Sequence, residues 1–284
     1  MSEQTLTTLE HSAAFPGLAY IYAVVSRRAG GVSIGINLNT NSACNWRCIY
    51  CQVPGLTRGA APPVNLDRLD GELRTLLGEV LHGDFMARRV PADLRRLASI
   101  AFSGNGEPTG SPQFDAALKR VGAAMRDLGL TAGPRLVVIS NGSRVARPEV
   151  QAGLRTLSSL GGELWFKVDR GTAQGIREVN SVHLSPERVL DHLATAATLC
   201  PTWVQTCVFA LDGRPPDARE RGAYLEILTE ARRRRVPLRG VLLYGAARAS
   251  HQPEAHRIGP LPAGWLEALA REVEALGLVV VATP

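Results

Sequence analysis

Residues 32 to 51 read VSIGINLNTNSACNWRCIYC. The first seven alternate. Val32, Ile34, Ile36 and Leu38 fall on one side, and Ser33, Gly35 and Asn37 on the other, which is the two-residue period of a β-strand. A loop follows that holds Cys44, Cys48 and Cys51, three of the chain's five cysteines. A strand that opens at its C-terminal end into a cysteine loop suits an α/β barrel, whose chemistry sits on the loops after the strands.

The same alternation of strand and helix runs down the chain. SIAFSG (99–104), RLVVISNG (135–142), LWFKVD (164–169), WVQTCVFALD (203–212) and LRGVLLYG (238–245) read as further strands. Amphipathic stretches separate them: DRLDGELRTLLGEVL, FDAALKRVGAAMRDLG, 148–160, 186–199 and 217–233. A closing helix runs from Pro262 to about Leu276, with a short strand after it. Six strands separated by helices imply parallel βαβ units and a partial (β/α)6 TIM-like barrel. One domain is expected over 1–284, with an N-terminal extension of about 1–30 and a core barrel of about 31–284. The aliphatic faces, such as Leu164, Phe166 and Val168, are expected against outer helices. Trp165, Lys167, Asp169, Gln205 and Cys207 are expected to point inward. That interior is too polar for a purely structural barrel and suits an enzyme.

The 45% hydrophobic content excludes a disordered chain. The first residues lack the basic and apolar regions of a signal peptide, and runs such as LGLVVVA are too short to span a bilayer. A soluble, cytoplasmic protein without membrane association is expected. Five cysteines in 284 residues do not make a disulfide scaffold; in a reducing compartment, a tight group of them holds metal or does chemistry. The net charge of +6 and pI near 9.4 are compatible with a polyanionic partner. The densest basic run, Arg232 to Arg235, lies where a helix should end, and cations there offset the helix dipole.

The spacing C-x3-C-x2-C supplies three thiolates. A structural zinc site wants four ligands, and Cys200 and Cys207 lie far downstream, so zinc requires a distant partner. Three thiolates suit a 4Fe–4S cluster with one iron open to another ligand. An electron-transfer protein would want a fourth nearby cysteine. A zinc-bound RNA-binding module would want exposed aromatics among its basic residues, and the aromatic content is 5%.

Together with Tyr50 before the last cysteine, and its place after the first strand, this motif resembles the signature of the radical S-adenosylmethionine (SAM) enzymes. The resemblance implies a radical SAM barrel carrying a 4Fe–4S cluster on Cys44, Cys48 and Cys51, with SAM as cosubstrate and Tyr50 beside it. In AFSGNGEPTG (101–110), Gly104, Asn105, Gly106 and Glu107 occupy the place of the segment that binds the SAM amino group. Glycines let the backbone approach a ligand, and a carboxylate accepts charged hydrogen bonds. Strand ends at Ser140, Asn141, Lys167 and Asp169 are the implied contacts to the SAM ribose and carboxylate. Tyr244 and Arg248, at the end of the last long strand, are candidates to meet a substrate anion. His251 and His256 are weaker candidates. SGNGEPT and YGAARASHQPEA (244–255) look like the branch of wyosine-forming tRNA enzymes and their bacterial relatives. Those synthases carry extra cysteines before the signature, and this chain has none before Cys44. The implied partners are a reducing protein, such as a flavodoxin or ferredoxin, and a small-molecule or tRNA substrate.

Overall fold

The computed structural model describes Leu6 and residues 17–26, 30–246 and 248–283. Its strands are β1 (Ile21–Ser26), β2 (Gly31–Ile36), the two-residue β3 (Ala43–Cys44) and β4 (Thr57–Arg58), β5 (Leu97–Phe102), β6 (Arg135–Ser140), β7 (Glu163–Lys167), β8 (Thr202–Val208), β9 (Ala210–Leu211), β10 (Leu238–Gly245), β11 (Ile258–Gly259) and β12 (Val280–Thr283). The helices are α1 (Leu66–His82), α2 (Phe85–Arg89), α3 (Phe114–Asp127), α4 (Pro148–Ser159), α5 (Ala173–Asn180), α6 (Pro186–Leu199), α7 (Ala218–Arg233) and α8 (Trp265–Ala275). Among the described residues no helix is long and apolar enough to cross a membrane.

One curled sheet has the order β1-β2-β5-β6-β7-β8-β10-β12. From β2 to β12 every neighbouring pair is parallel. This is the expected partial TIM-like barrel, with β12 as a seventh parallel strand. Local chemistry starts the helices that cover it. Asn65, Thr172, Ser185 and Asp217 each accept a backbone N–H at the start of α1, α5, α6 and α7. The main core lies between sheet and helices and takes the aliphatic strand faces, including Ile34, Ile36, Phe166 and Val204. The basic run ends α7, where Arg233 and Arg234 pair with Glu230 and Arg234 also meets Asp191.

The short helix α2 and the splitting of the expected 203–212 strand into β8 and β9 depart from the sequence expectation, and so do three features that bear on the site. Residues 21–26, assigned to an extension, form β1, which pairs antiparallel with β2. The segment between Asp169 and Pro186 forms α5, for which no helix was expected. The strands also stop early: β2, β6 and β7 end at Ile36, Ser140 and Lys167, so Asn37, Asn141 and Asp169 leave the ladder at the C-terminal rim. The base of the barrel is plugged by Ala101, Val137, Trp165 and Leu242. There the indole N–H groups of Trp165 and Trp203, in register on β7 and β8, both donate to Glu163, at 2.9 and 3.0 Å.

β1 is held by shape as well as by its ladder. The Tyr22 ring lies on Gly35, so close that a Cβ at Gly35 would sit 2.1 Å from the ring. Gly35→Ala is expected to lower unfolding stability by roughly 1–3 kcal/mol through overpacking. Gly71→Ala, in α1 with open space around the added methyl, is expected to raise it by about 0.5–1 kcal/mol. Urea denaturation of both variants checks the pair.

Candidate active site

Backbone bonds fix the cysteine loop from three sides. The β3–β4 pair closes its base, with Thr57 N–H bonded to the Ser42 carbonyl and Gly59 N–H to that of Cys44. The carbonyls of Val179 and Asn180, at the end of α5, accept the N–H groups of Ile49 and Arg47. On the far side, Ser250 Oγ donates to the Ile49 carbonyl at 2.7 Å. His251 N–H bonds the Cys51 carbonyl at 3.0 Å, and the Gln252 amide that of Val53 at 2.9 Å. Arg47 and Glu254 form a two-point ion pair. The loop's shape is therefore held by the protein's own hydrogen bonds.

All three thiols face one cavity of roughly 290 Å³ at the barrel mouth. Burial pushes the Cys44 thiol up to about 11 and that of Cys48 to about 12, and raises Cys51 as well. Backbone Trp46 N–H approaches Cys44 Sγ at 3.5 Å, and Asn180 Nδ2 approaches Cys48 Sγ at 3.2 Å. Among the described residues no three His, Cys, Asp or Glu side chains gather around the position of a single ion. The donor set, three thiols on one hydrogen-bonded loop open to a shared cavity, fits an iron–sulfur cluster.

Tyr50, Gly104, Gly106, Glu107, Asn141, Lys167, Tyr244 and Arg248 line the same cavity. The fold thus brings residues from the cysteine loop and from the ends of β5, β6, β7 and β10 to one place. Asn105, Ser140 and Asp169 stand behind that lining. Asn105 turns toward the cysteine loop, its N–H on Asn37 Oδ1 and its amide 3.4 Å from Ser42 Oγ. Gly106 is pressed against the loop, where a Cβ would lie 2.3 Å from the Ala43 carbonyl oxygen. Glu107 is buried and accepts from Thr109 N–H, Thr109 Oγ1, Ser140 Oγ and Asn141 N–H, at 2.7 to 3.1 Å. Its carboxylate ties the ends of β5 and β6 together. His251 and His256 are exposed.

A second buried carboxylate organises the other side. Asp169 Oδ2 accepts from Tyr50 Oη at 2.5 Å and Asn180 Nδ2 at 2.8 Å, and Oδ1 from Cys207 N–H at 3.1 Å. Lys167 Nζ lies 3.4 Å away, is bonded to Tyr50 Oη, and sits over the Tyr50 ring. Burial alone would raise the Asp169 pKa. The Lys167 charge and the donors outweigh it, holding the carboxyl below its usual range. Burial would likewise lower Lys167, yet the Asp169 charge keeps it above the usual lysine range, so the ammonium stays charged.

Sequence reasoning passed over Asn180, Ser250, Gln252 and Tyr22. Asn180 lies on the unexpected helix α5, an eight-residue element that Thr172 caps. Tyr22 lies on β1 and bonds Ser103 Oγ at 2.8 Å across the cavity wall.

No protein-family model matches the chain, and no curated protein matches it in sequence. The structure aligns with a radical SAM methyltransferase from Sphaerobacter thermophilus, with a TM-score of 0.60 at 11% identity, over 93% of this chain and 68% of that one. The two share the fold, a partial TIM-like barrel. Two other solved structures align with lower scores. A domain of a pyruvate-formate lyase-activating enzyme from Bacteroides vulgatus has a TM-score of 0.46 at 12% identity, covering 66% of this chain and 99% of that one. The cobalamin-dependent S-adenosylmethionine radical enzyme OxsB has 0.44 at 12% identity, covering 85% and 29%.

The raised thiol pKa values set the reactivity of the metal-free protein. Thiolate is the form that alkylates. At pH 8, Cys44 and Cys48 are therefore expected to react with iodoacetamide at least about a hundredfold more slowly than an ordinary cysteine, Cys48 the slower of the two, with the rate climbing as pH rises. Peptide mapping of alkylated protein across pH 7 to 10 checks this.

Proposed function

We propose that this protein is a radical SAM enzyme. One observation supports the reading above the rest: the three thiols of a single loop open onto a cavity whose other walls are the 104–107 turn, Asn141 and Lys167. Cys44, Cys48 and Cys51 would hold the cluster and SAM would bind beside it. A 4Fe–4S cluster bound there supplies the electron for reductive cleavage of SAM, which starts radical chemistry on a second molecule.

The chain's own groups orient and shield. Gly104 and Gly106 bring main chain close to the SAM methionine group. Glu107 holds that turn to Ser140 and Asn141, so it shapes the amino-group site and adds negative potential there. Charged Lys167 holds a carboxylate, of SAM or of substrate, while Asp169 keeps it charged. Tyr50 flanks the cofactor. Tyr244 and Arg248 meet an anionic part of the substrate, a small molecule or a tRNA nucleotide. A flavodoxin or ferredoxin of the reducing cytoplasm would supply the electron. A wyosine-like reaction, which needs a neutral lysine to form a Schiff base, is disfavoured by the Lys167–Asp169 pairing.

Reconstituted protein is expected to bind about four iron and four sulfide per chain. SAM is expected to change the EPR spectrum of the reduced cluster, and Cys44→Ala, Cys48→Ala or Cys51→Ala to abolish both. Stoichiometric zinc with no iron uptake sinks the proposal. Glu107→Ala is expected to retain iron and to weaken SAM binding by roughly 1.5–3 kcal/mol, as read by calorimetry, because the 104–107 turn loses its tie to Ser140 and Asn141 and the amino-group site loses its negative potential. Borohydride treatment with keto acids is expected to leave Lys167 unmodified; a reduced adduct found by mass spectrometry would revive the Schiff-base route.

A further inference from the structure

Asn180 closes α5 and is 1% exposed. Its side-chain nitrogen has two hydrogens and, in this site, two acceptors: Asp169 Oδ2 at 2.8 Å and Cys48 Sγ at 3.2 Å. A carboxylate only accepts, so Asp169 dictates which end of the amide faces it, and the second N–H is delivered to the sulfur. Asp169 is itself held by Tyr50 Oη and by Cys207 N–H. The orientation of this amide is therefore fixed by Asp169, which lies outside the cysteine loop. Trp46 approaches Cys44 with a main-chain N–H; Cys48 receives this N–H from a side chain, which mutation can remove.

We propose that Asn180 is a positioning residue that donates a hydrogen bond to the Cys48 sulfur of the bound cluster and, locked by Asp169, sets its reduction potential. The inference rests on the reading that Cys44, Cys48 and Cys51 hold an iron–sulfur cluster. Hydrogen bonds to cluster sulfurs are among the levers that tune such potentials. Reduction adds negative charge, which an N–H dipole pointing at the sulfur stabilises, so the bond favours the reduced state. The arrangement also links cluster and cavity: Asp169, which aims the amide, is the ion-pair partner of Lys167.

The backbone of the loop does not depend on this amide, because Arg47 and Ile49 bond to main-chain carbonyls of α5. That makes the test clean. Wild type, Asn180→Leu and Asn180→Gln are reconstituted with iron and sulfide, their iron content is measured, and each is titrated potentiometrically by EPR. Asn180→Leu is expected to load iron like wild type. At a fixed potential its ratio of reduced to oxidised cluster should fall by roughly three- to tenfold, the scale of one hydrogen bond; tenfold corresponds to 59 mV for one electron. Asn180→Gln, which keeps an amide, should recover part of the loss. Should Asn180→Leu not fold, Asn180→Ala takes its place in the titration. A midpoint unchanged in the loaded apolar variant overturns the inference, as does reduced iron content with an unchanged midpoint in the molecules that do load. Failure of wild type to bind iron would instead strike at the cluster reading itself.

Discussion

The carboxylate of Asp169 is the constraint on which the site depends. A buried charge of this kind is costly unless every lone pair is engaged. Here the engaged groups come from four separate segments: Tyr50 from the cysteine loop, Lys167 from β7, Asn180 from α5 and the Cys207 N–H from β8. Satisfying one charge thus forces strand end, helix end and cysteine loop into a single arrangement. Removing the partners of a buried charge costs on the order of 3–5 kcal/mol, so the arrangement resists drift even though it sits at the rim of the barrel.

Glu107 plays the corresponding part on the other wall. It joins the ends of β5 and β6, and Asn141 then reaches Asn45 of the cysteine loop at 3.0 Å. Between the two carboxylates the loop is clamped from opposite sides of the cavity. The segment after β10 adds a third clamp through Ser250 and Gln252, and Arg248 reaches across to the Val25 carbonyl of β1 at 3.3 Å. Packing of aliphatic faces makes the barrel; polar groups released from the strand ends position the chemistry.

Much of this was legible in the chain. The two-residue period of 32–38 and 164–169 gave the strand faces, and three cysteines on one loop gave the centre of the site. The helix expected over 186–199 matches α6 to the residue. β1 was not legible because a lone six-residue strand carries no signal of its partner; its reason is the ladder to β2 and the Tyr22 ring seated on Gly35. α5 was hidden by its brevity and its two polar ends. Glu107 was read as a ligand contact; its further part, accepting from neighbouring strand ends, was not legible, since Ser140 and Asn141 lie more than thirty residues away along the chain.

The shared acceptor at the base of the barrel has a consequence of its own. Trp165 and Trp203 both give their N–H to the one carboxylate of Glu163. Loss of that carboxylate deprives two indoles at once, while loss of either indole leaves half of an acceptor in place. The energetics of positions 163, 165 and 203 are therefore non-additive. The floor of the barrel changes as a unit: a sequence drifting at one of these positions alters the cost of change at the other two.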